Sequence, residues 1–439
     1  MRIILLAFIV AVLAVAVFPG CICTPIAEGE GEGEGEGEGE GEGEGEGEDC
    51  TFDPAVSVDT TLTAACSPYI IDNRDLNVTD GAALTIEPGV EVRFDSNHWL
   101  EVSDGKLVAD GTADDPILLT STDTAAAAGS WLGVMLRGGT LSGTILRHVT
   151  IRGAGQSGYG QDGAIDMDVE QAGRVTLEDL TVERSASAGI AMMVSAPFRF
   201  ASFARIAIND APVGLRVNAN QIGAVTEEVT FTDVDNNELL GDTIDTDSTL
   251  VFQPIPWRVI DSVAVSSTAG CTLTIEPGTV LRFDTSEWLE VGGGGNPGGL
   301  VAVGTATAPI VLEGAQGTGG QAGDWLGVVL RDGVRTGTQI AFATIQHGGQ
   351  NAYGVHGCLQ IFGTSVGRVA VHDVTFNECS QAAVDVSGNG FQFASFTDNT
   401  FSGTLAAVEV PLTAVAQIDA THSYAGVVEN RIKGDRLES

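Results

Sequence analysis

A chain of 439 residues with 58 glycines, 14 prolines and a net charge of −39 has room for two or three ordinary domains or for one long solenoid. Eleven of the acidic side chains lie in a single glycine–glutamate run, and the rest of the chain still carries −28. With lysine only at positions 106 and 433, such a chain repels nucleic-acid phosphates and anionic membrane surfaces, so no nucleic-acid partner is expected; by itself the charge favours solubility.

The first segment reads as an export signal. Arg2 is a minimal positive region, and Ile3 to Val17 is an apolar run too short for a comfortable transmembrane helix. Gly20-Cys21 follows directly. The segment resembles a bacterial lipoprotein signal, although Phe18-Pro19 stands where leucine and a small residue are usual. The resemblance implies a signal peptide over residues 1–20, lipidation of Cys21 and a membrane as partner through that anchor. Ordinary signal cleavage and an uncleaved anchor are the alternatives. The expected location is the surface or outer membrane of a bacterial cell, or otherwise the medium.

Residues 28–48 alternate glutamate and glycine without a break. Glycine gives flexibility and like charges extend the chain, so 21–49 is read as an anchor segment and tether. Export implies an oxidising compartment, in which cysteines pair. Cys50 and Cys66 bracket a short segment and are the best disulfide candidates. Cys358 and Cys379 are separated by close to one coil of the architecture argued below, and could be near each other. Cys23 and Cys271 have no obvious partners, and no cysteine spacing suggests zinc.

From residue 51 short β-branched runs alternate with Gly, Asn and Asp. One stretch occurs twice, as LTIEPGVEVRFDSNHWLEV from Leu84 and as LTIEPGTVLRFDTSEWLEV from Leu273, and the likeness continues through most of each half. Glu87-Pro88-Gly89 is a turn in which proline presets φ and glycine permits positive φ. Val92 and Phe94 point one way, and Glu91, Arg93 and Asp95 the other. Short strands are expected at 99–102, 106–109, 117–120 and 131–137, with no convincing amphipathic helix after residue 50. A finer repeat begins at His148, Asp179, Arg205 and Glu228, and again at Phe342, Asp373, Asp398 and Glu429. Each unit has two or three inward apolar residues, a polar turn and another short strand. Such a unit cannot bury its apolar face alone and stacks on its neighbours.

The run LTIEPG…V.RF…WLEV…LVA.GTA..PI.L…W.GV.LR, followed by VTI and VTF units, resembles the right-handed parallel β-helix proteins of bacterial surfaces, a group that includes pectate-lyase-like enzymes and adhesins. The resemblance covers roughly residues 65 to 439. It implies an all-β fold, a right-handed parallel β-helix of about 13 coils in two homologous halves, with coils about 4.8 Å apart. The halves are expected at 50–250 and 251–439, joined without a linker. The last coil has no following repeat, and no C-terminal cap is evident.

The candidate chemistry is thin. Lyases of this kind bind calcium through clustered carboxylates and use Arg or Lys as base, whereas here lysine is scarce and the acids scatter across turns. The outward row Glu91, Arg93, Asp95, with Arg282 and Asp284 repeating part of it, reads as charge pairs between coils. Arg431-Ile432-Lys433 matches one short polygalacturonase motif without its companions and reads as coincidence. The densest acidic patch, Asp233, Asp235 and Asp242 with their neighbours, offers calcium-type oxygen ligands but does not fit an EF-hand, so no cofactor is expected unless calcium binds there. Trp99 and Trp288 are repeat equivalents, as are Trp131 and Trp325, and all are expected at coil corners. The glycine-rich loops at 155–162 and 348–356 correspond, and Tyr159, Asp162, Tyr353 and His356 in them could hold a sugar ring. The expected function is a non-catalytic, surface-displayed β-helix lipoprotein for adhesion, envelope structure or glycan binding. The alternatives are a secreted polysaccharide lyase or hydrolase, resting on fold analogy, and an envelope module that docks through its last coil.

Overall fold

The structure is a computed structural model that describes residues 50–433 except 159, 170–173, 194–198, 364–367, 389–390 and 419. The signal, Cys21, Cys23 and the tether lie outside the described residues, as does Tyr159. Among the described residues no helix is long and apolar enough to cross a membrane.

Every ladder pairing between the described strands is parallel. In the first coils three short strands follow one another around the axis, and each stacks on the strand one coil later. Thr60–Leu62, Ala83–Ile86 and Lys106–Asp110 form face A. Tyr69–Ile71, Glu91–Phe94 and Ile117–Ser121 form face B. Ala55–Val56, Leu76–Val78, Trp99–Val102 and Gly133–Leu136 form face C. Along each strand alternate residues are buried, so Val92 and Phe94 point inward while Glu91 and Arg93 stay outside. The inward side chains form one core, from Val56 to Ala414. This is a parallel β-helix.

The Pro88-Gly89 turn has the expected form: Gly89 has φ +79° and the Val90 amide donates to the Glu87 carbonyl. The finer repeat has a conformational meaning that the sequence does not reveal. Its first residues His148, Asp179, Arg205, Phe342, Asp373 and Asp398 all have φ between 46° and 57°. Each turns the chain from face A to face B in a single left-handed residue, within or between strands such as Thr144–Arg152 and Val175–Glu183. A second row of left-handed residues, Arg184, Asp210, Asp233 and Glu378 among them, makes the corner into face C. A left-handed non-glycine residue is costly, and Asp and His tolerate it best.

The halves join continuously but out of phase. Residues 236–240 belong to face C, yet they stack on Trp257–Val259, the repeat counterpart of the face B strand Tyr69–Ile71. The second half is therefore turned by one face about the axis. From Ala55–Val56 to Ser423–Ala425 the resulting ladder has fifteen successive strands. At about 4.8 Å per step it is roughly 70 Å long. The sequence pattern suggests about 13 coils; the short end strands carry no repeat signature. An apolar void between Ile222, Leu239, Val259 and Phe283 marks the junction of the halves. The halves also differ by an insertion, because Gly292–Gly295 lengthens one turn of the second half between the counterparts of Val102 and Leu107.

The cysteine pairs are bonded, Cys50 to Cys66 and Cys358 to Cys379, while Cys271 is a free, buried thiol. Burial pushes the Cys271 thiol above its ordinary range. The two tryptophan pairs separate in role. Trp131 and Trp325 are fully buried and stack face to face on Phe94 and Phe283, at 4.3 and 4.2 Å. Their indole nitrogens donate to the Arg152 and Gln346 carbonyls. Trp99 and Trp288 open face C strands with their rings half-buried outside the core.

Candidate functional site

Among the described residues, the strands in the repeat position of face C, which in the second half stack one face further round, are the only ones buried on both sides over several coils. Gly327–Leu330, Gly357–Ile361 and Ala382–Val386 show no exposed position. Loop 348–356 accounts for this at the first of them. Its Gly349 and Gln350 amides donate to the Leu326 and Trp325 carbonyls, which folds the loop back over the outer face. There Val355 closes on Leu326 and Val329, with Trp288, Ala352 and Phe362 packed around them. The Cys358–Cys379 bond ties the strand beneath to the next coil.

The loop tip is a two-residue reversal. Ala352 bridges Val355, whose amide donates to the Ala352 carbonyl. Tyr353 and Gly354 between them have φ of +53° and +77°, the signature of a type I′ turn. Glycine suits its position, whereas tyrosine in the left-handed region is costly. The Tyr353 side chain is 75% exposed. Its ring meets Trp288 edge-on at 5.7 Å. Beside them Phe362 carries the Arg331 guanidinium over its face at 4.5 Å, and Arg331 pairs with Glu290 at 3.0 Å. Trp288, Tyr353 and Phe362 thus form an aromatic ledge on the outer surface.

A polar row runs beside the ledge. The outward positions of successive strands are Val329, Gln360, Asp385, Glu409 and Arg431. The His356 amide donates to Gln360 Oε1, and Gln360 Nε2 donates to Asp385 Oδ1 at 2.7 Å. Asp385 is 1% exposed. Its carboxylate also accepts from Ser387 and, at 2.7 and 2.9 Å, from Lys433 Nζ. Arg431 pairs with Glu409 and Glu429. The Arg431-Ile432-Lys433 tripeptide therefore closes a charge network on the last coils.

The first half repeats this plan with different groups. The Asp162 amide donates to Asp166 Oδ2, in the place of the His356–Gln360 contact. Burial pushes the Asp166 carboxyl above the ordinary range, against the opposing effects of the Asp162 amide and Arg137. The Asp162 carboxylate pairs with Arg216 at 3.1 Å, and Arg216 also pairs with Glu238 at 2.7 Å. Gln161 stands where the second half has Val355, and both of its buried amide atoms lack a partner.

Of the sequence candidates, Tyr353 packs against Trp288 and His356 engages Gln360 through its backbone amide, while Asp162 is occupied by Arg216. Asp233, Asp235 and Asp242 are not gathered: Asp233 is a left-handed corner residue, and Asp242 caps its own strand through the Thr243 amide. Among the described residues no group of three metal-ligating side chains exists. Sequence reasoning missed Phe362, Gln360, Asp166 and the Asp385–Lys433 contact, and it placed Trp288 at a corner and not on the ledge. The correspondence of Trp99 with Trp288 and of Tyr159 with Tyr353 was the signal available for the ledge.

No curated protein and no solved structure matches the chain. Residues 56–166 match the family model described as a pectate-lyase like beta helix domain. The parallel ladders of this segment continue through the second half, so the chain is a parallel β-helix, and its first coils, residues 56–166, are similar to the pectate-lyase-like domain.

Proposed function

We propose that the protein is an exported, lipid-anchored β-helix that binds glycan on its outer surface without transforming it, in adhesion or envelope structure. The observation that carries this reading is Tyr353, an exposed ring held in a costly left-handed conformation against Trp288. Strain in an exposed aromatic side chain is retained where the ring's placement matters. Flat rings beside buried amide and carboxylate groups suit the apolar faces and hydroxyls of sugars. The signal, Cys21 and the charged tether would hold this surface away from a membrane. No cofactor enters this reading.

The second reading is a polysaccharide lyase or hydrolase. It is favoured by Asp166, a buried carboxyl held above its ordinary range, as acid–base groups often are. Against it, the nearby Asp162 and Glu238 are both engaged by Arg216.

One experiment tests both. Purified protein is screened on a glycan array while the same glycans are assayed for new reducing ends or unsaturated products. Binding without product, lost on Tyr353→Ala with the circular dichroism spectrum unchanged, is the expected result. Product formation that depends on Asp166 would establish the second reading instead.

A further inference from the structure

The outward row of face B and its repeat counterpart in the second half differ at one coil. In the second half Arg282, Glu313 and Gln346 follow one another in register. The Glu313 carboxylate, 4% exposed, accepts from Arg282 Nε at 2.9 Å and from Gln346 Nε2 at 2.6 Å. In the first half the same three places hold Arg93, Thr120 and Arg152. The central carboxylate is missing, and the flanking amide has become a second guanidinium. A recess of about 180 Å³ opens there, lined by Arg93, Thr120 and Arg152 together with Arg184, Glu91 and Asp123.

Each arginine is anchored but not saturated. Arg93 forks onto Glu91 through Nε and Nη2, Arg152 Nε donates to Glu183, and Arg184 Nη1 donates to the Ala125 carbonyl. A guanidinium has five N–H donors, so each retains several. Asp123 is turned to the Ala125 amide. Arg93, Arg152 and Arg184 converge there against Glu91, Asp123 and Glu183, so the recess gathers guanidinium donors without a net positive charge, on a chain of net charge −39.

We infer that this recess binds an oxyanion, a carboxylate or sulfate carried by a ligand, between Arg93 and Arg152 in the place that Glu313 fills from within the chain in the second half. Planar guanidinium forks match such groups and give charge-assisted hydrogen bonds. Arg184 completes the recess from the neighbouring corner. The site is independent of the aromatic ledge, which lies on another face of the other half.

The test titrates the full-length protein calorimetrically with sodium sulfate and, separately, with sodium glucuronate, at an ionic strength held with chloride at about 0.15 M. Saturable binding of either anion is expected, and comparison of the two assigns the preferred group. Thr120→Glu, which restores the internal carboxylate, should weaken binding at least about tenfold, as should Arg152→Gln. Circular dichroism and melting temperature confirm folding of each variant; if Thr120→Glu does not fold, Arg152→Gln decides. Absence of saturable binding for both anions, or undiminished affinity in a folded Thr120→Glu protein, overturns the inference.

Discussion

Replacing Trp131 or Trp325 with alanine should cost similar amounts in either half, because the ring stack and the hydrogen bond are the same, although Ala154 and Ala164 stand where the second half has Gly348 and the disulfide-bonded Cys358. Each indole is fully buried, stacks on a phenylalanine within 9° of parallel and donates one hydrogen bond to a backbone carbonyl further along the chain. Loss of a buried tryptophan costs about 3–5 kcal/mol, from transfer and from the cavity left behind. Phenylalanine at either site keeps a stacking ring but strands the Arg152 or Gln346 carbonyl, for about 1 kcal/mol from that bond and somewhat more from lost volume. The sites lie in different halves with no shared partner, so the double alanine variant should show the sum of the single losses within about 0.5 kcal/mol. Guanidinium unfolding followed by far-ultraviolet circular dichroism, with the slope held in common, measures each term. A single-site loss below about 1 kcal/mol would refute the packing argument. Coupling well above about 0.5 kcal/mol would refute the nearest-neighbour picture of stacked coils.

Two further outcomes are expected. Removing the Cys358–Cys379 bond by paired alanine substitutions frees a loop closed over a sequence separation of 21, which should lower stability by about 3 kcal/mol; equal midpoints for wild type and variant under oxidising conditions would contradict this. Asp166→Asn should stabilise the protein at neutral pH, because the amide keeps an oxygen for the Asp162 amide and carries no buried charge. The sign follows from linkage: burial raises the folded-state pKa, so between the unfolded and folded values the native state holds the extra proton and stability falls as pH rises. The gain from asparagine should therefore shrink as pH drops through the raised folded-state value towards the ordinary carboxylate value, and level off below it. A pH-independent difference would mean that the Asp166 charge is not the cause.

The parallel β-helix was legible because inward residues repeat with period two along strands and recur coil after coil. Val92, Phe94, Leu281 and Phe283 show it directly. The turn at Pro88-Gly89 was legible because only a few residue types satisfy its φ values. The single-residue corners were not, since His148, Arg205 and Phe342 share no side-chain chemistry, only a backbone angle. The phase shift between halves was also hidden. Residues 257–261 resemble 69–72 wherever they stack, and sequence likeness does not say which face lies beneath. The ledge was half legible: the loop correspondence singled out Tyr353, but Trp288 lies nearly two coils earlier in the chain and meets it only through the stacking.

The duplication itself separates scaffold from function. The stacked aromatic pairs in the core are kept between halves in identity and geometry, Phe94 and Phe283, Trp131 and Trp325, with nearly equal spacing, while aliphatic core positions such as Val92 and Leu281 keep only their apolar character. Outward positions at the same rungs diverge in chemistry: Thr120 against Glu313, Arg152 against Gln346, Gln161 against Val355, Asp166 against Gln360. An unmodified doubling of length would need no such divergence, because the second half already shows a self-satisfied solution at Glu313, with both neighbours bonded to it. The first half lacks that carboxylate and leaves arginines with spare donors. The second half covers its face with an apolar loop and presents an exposed ring at its tip. The one-face turn at 236–240 then directs the two loops to different sides of the rod. A ligand long enough to reach both would have to wind around the axis, whereas two short ligands could bind independently.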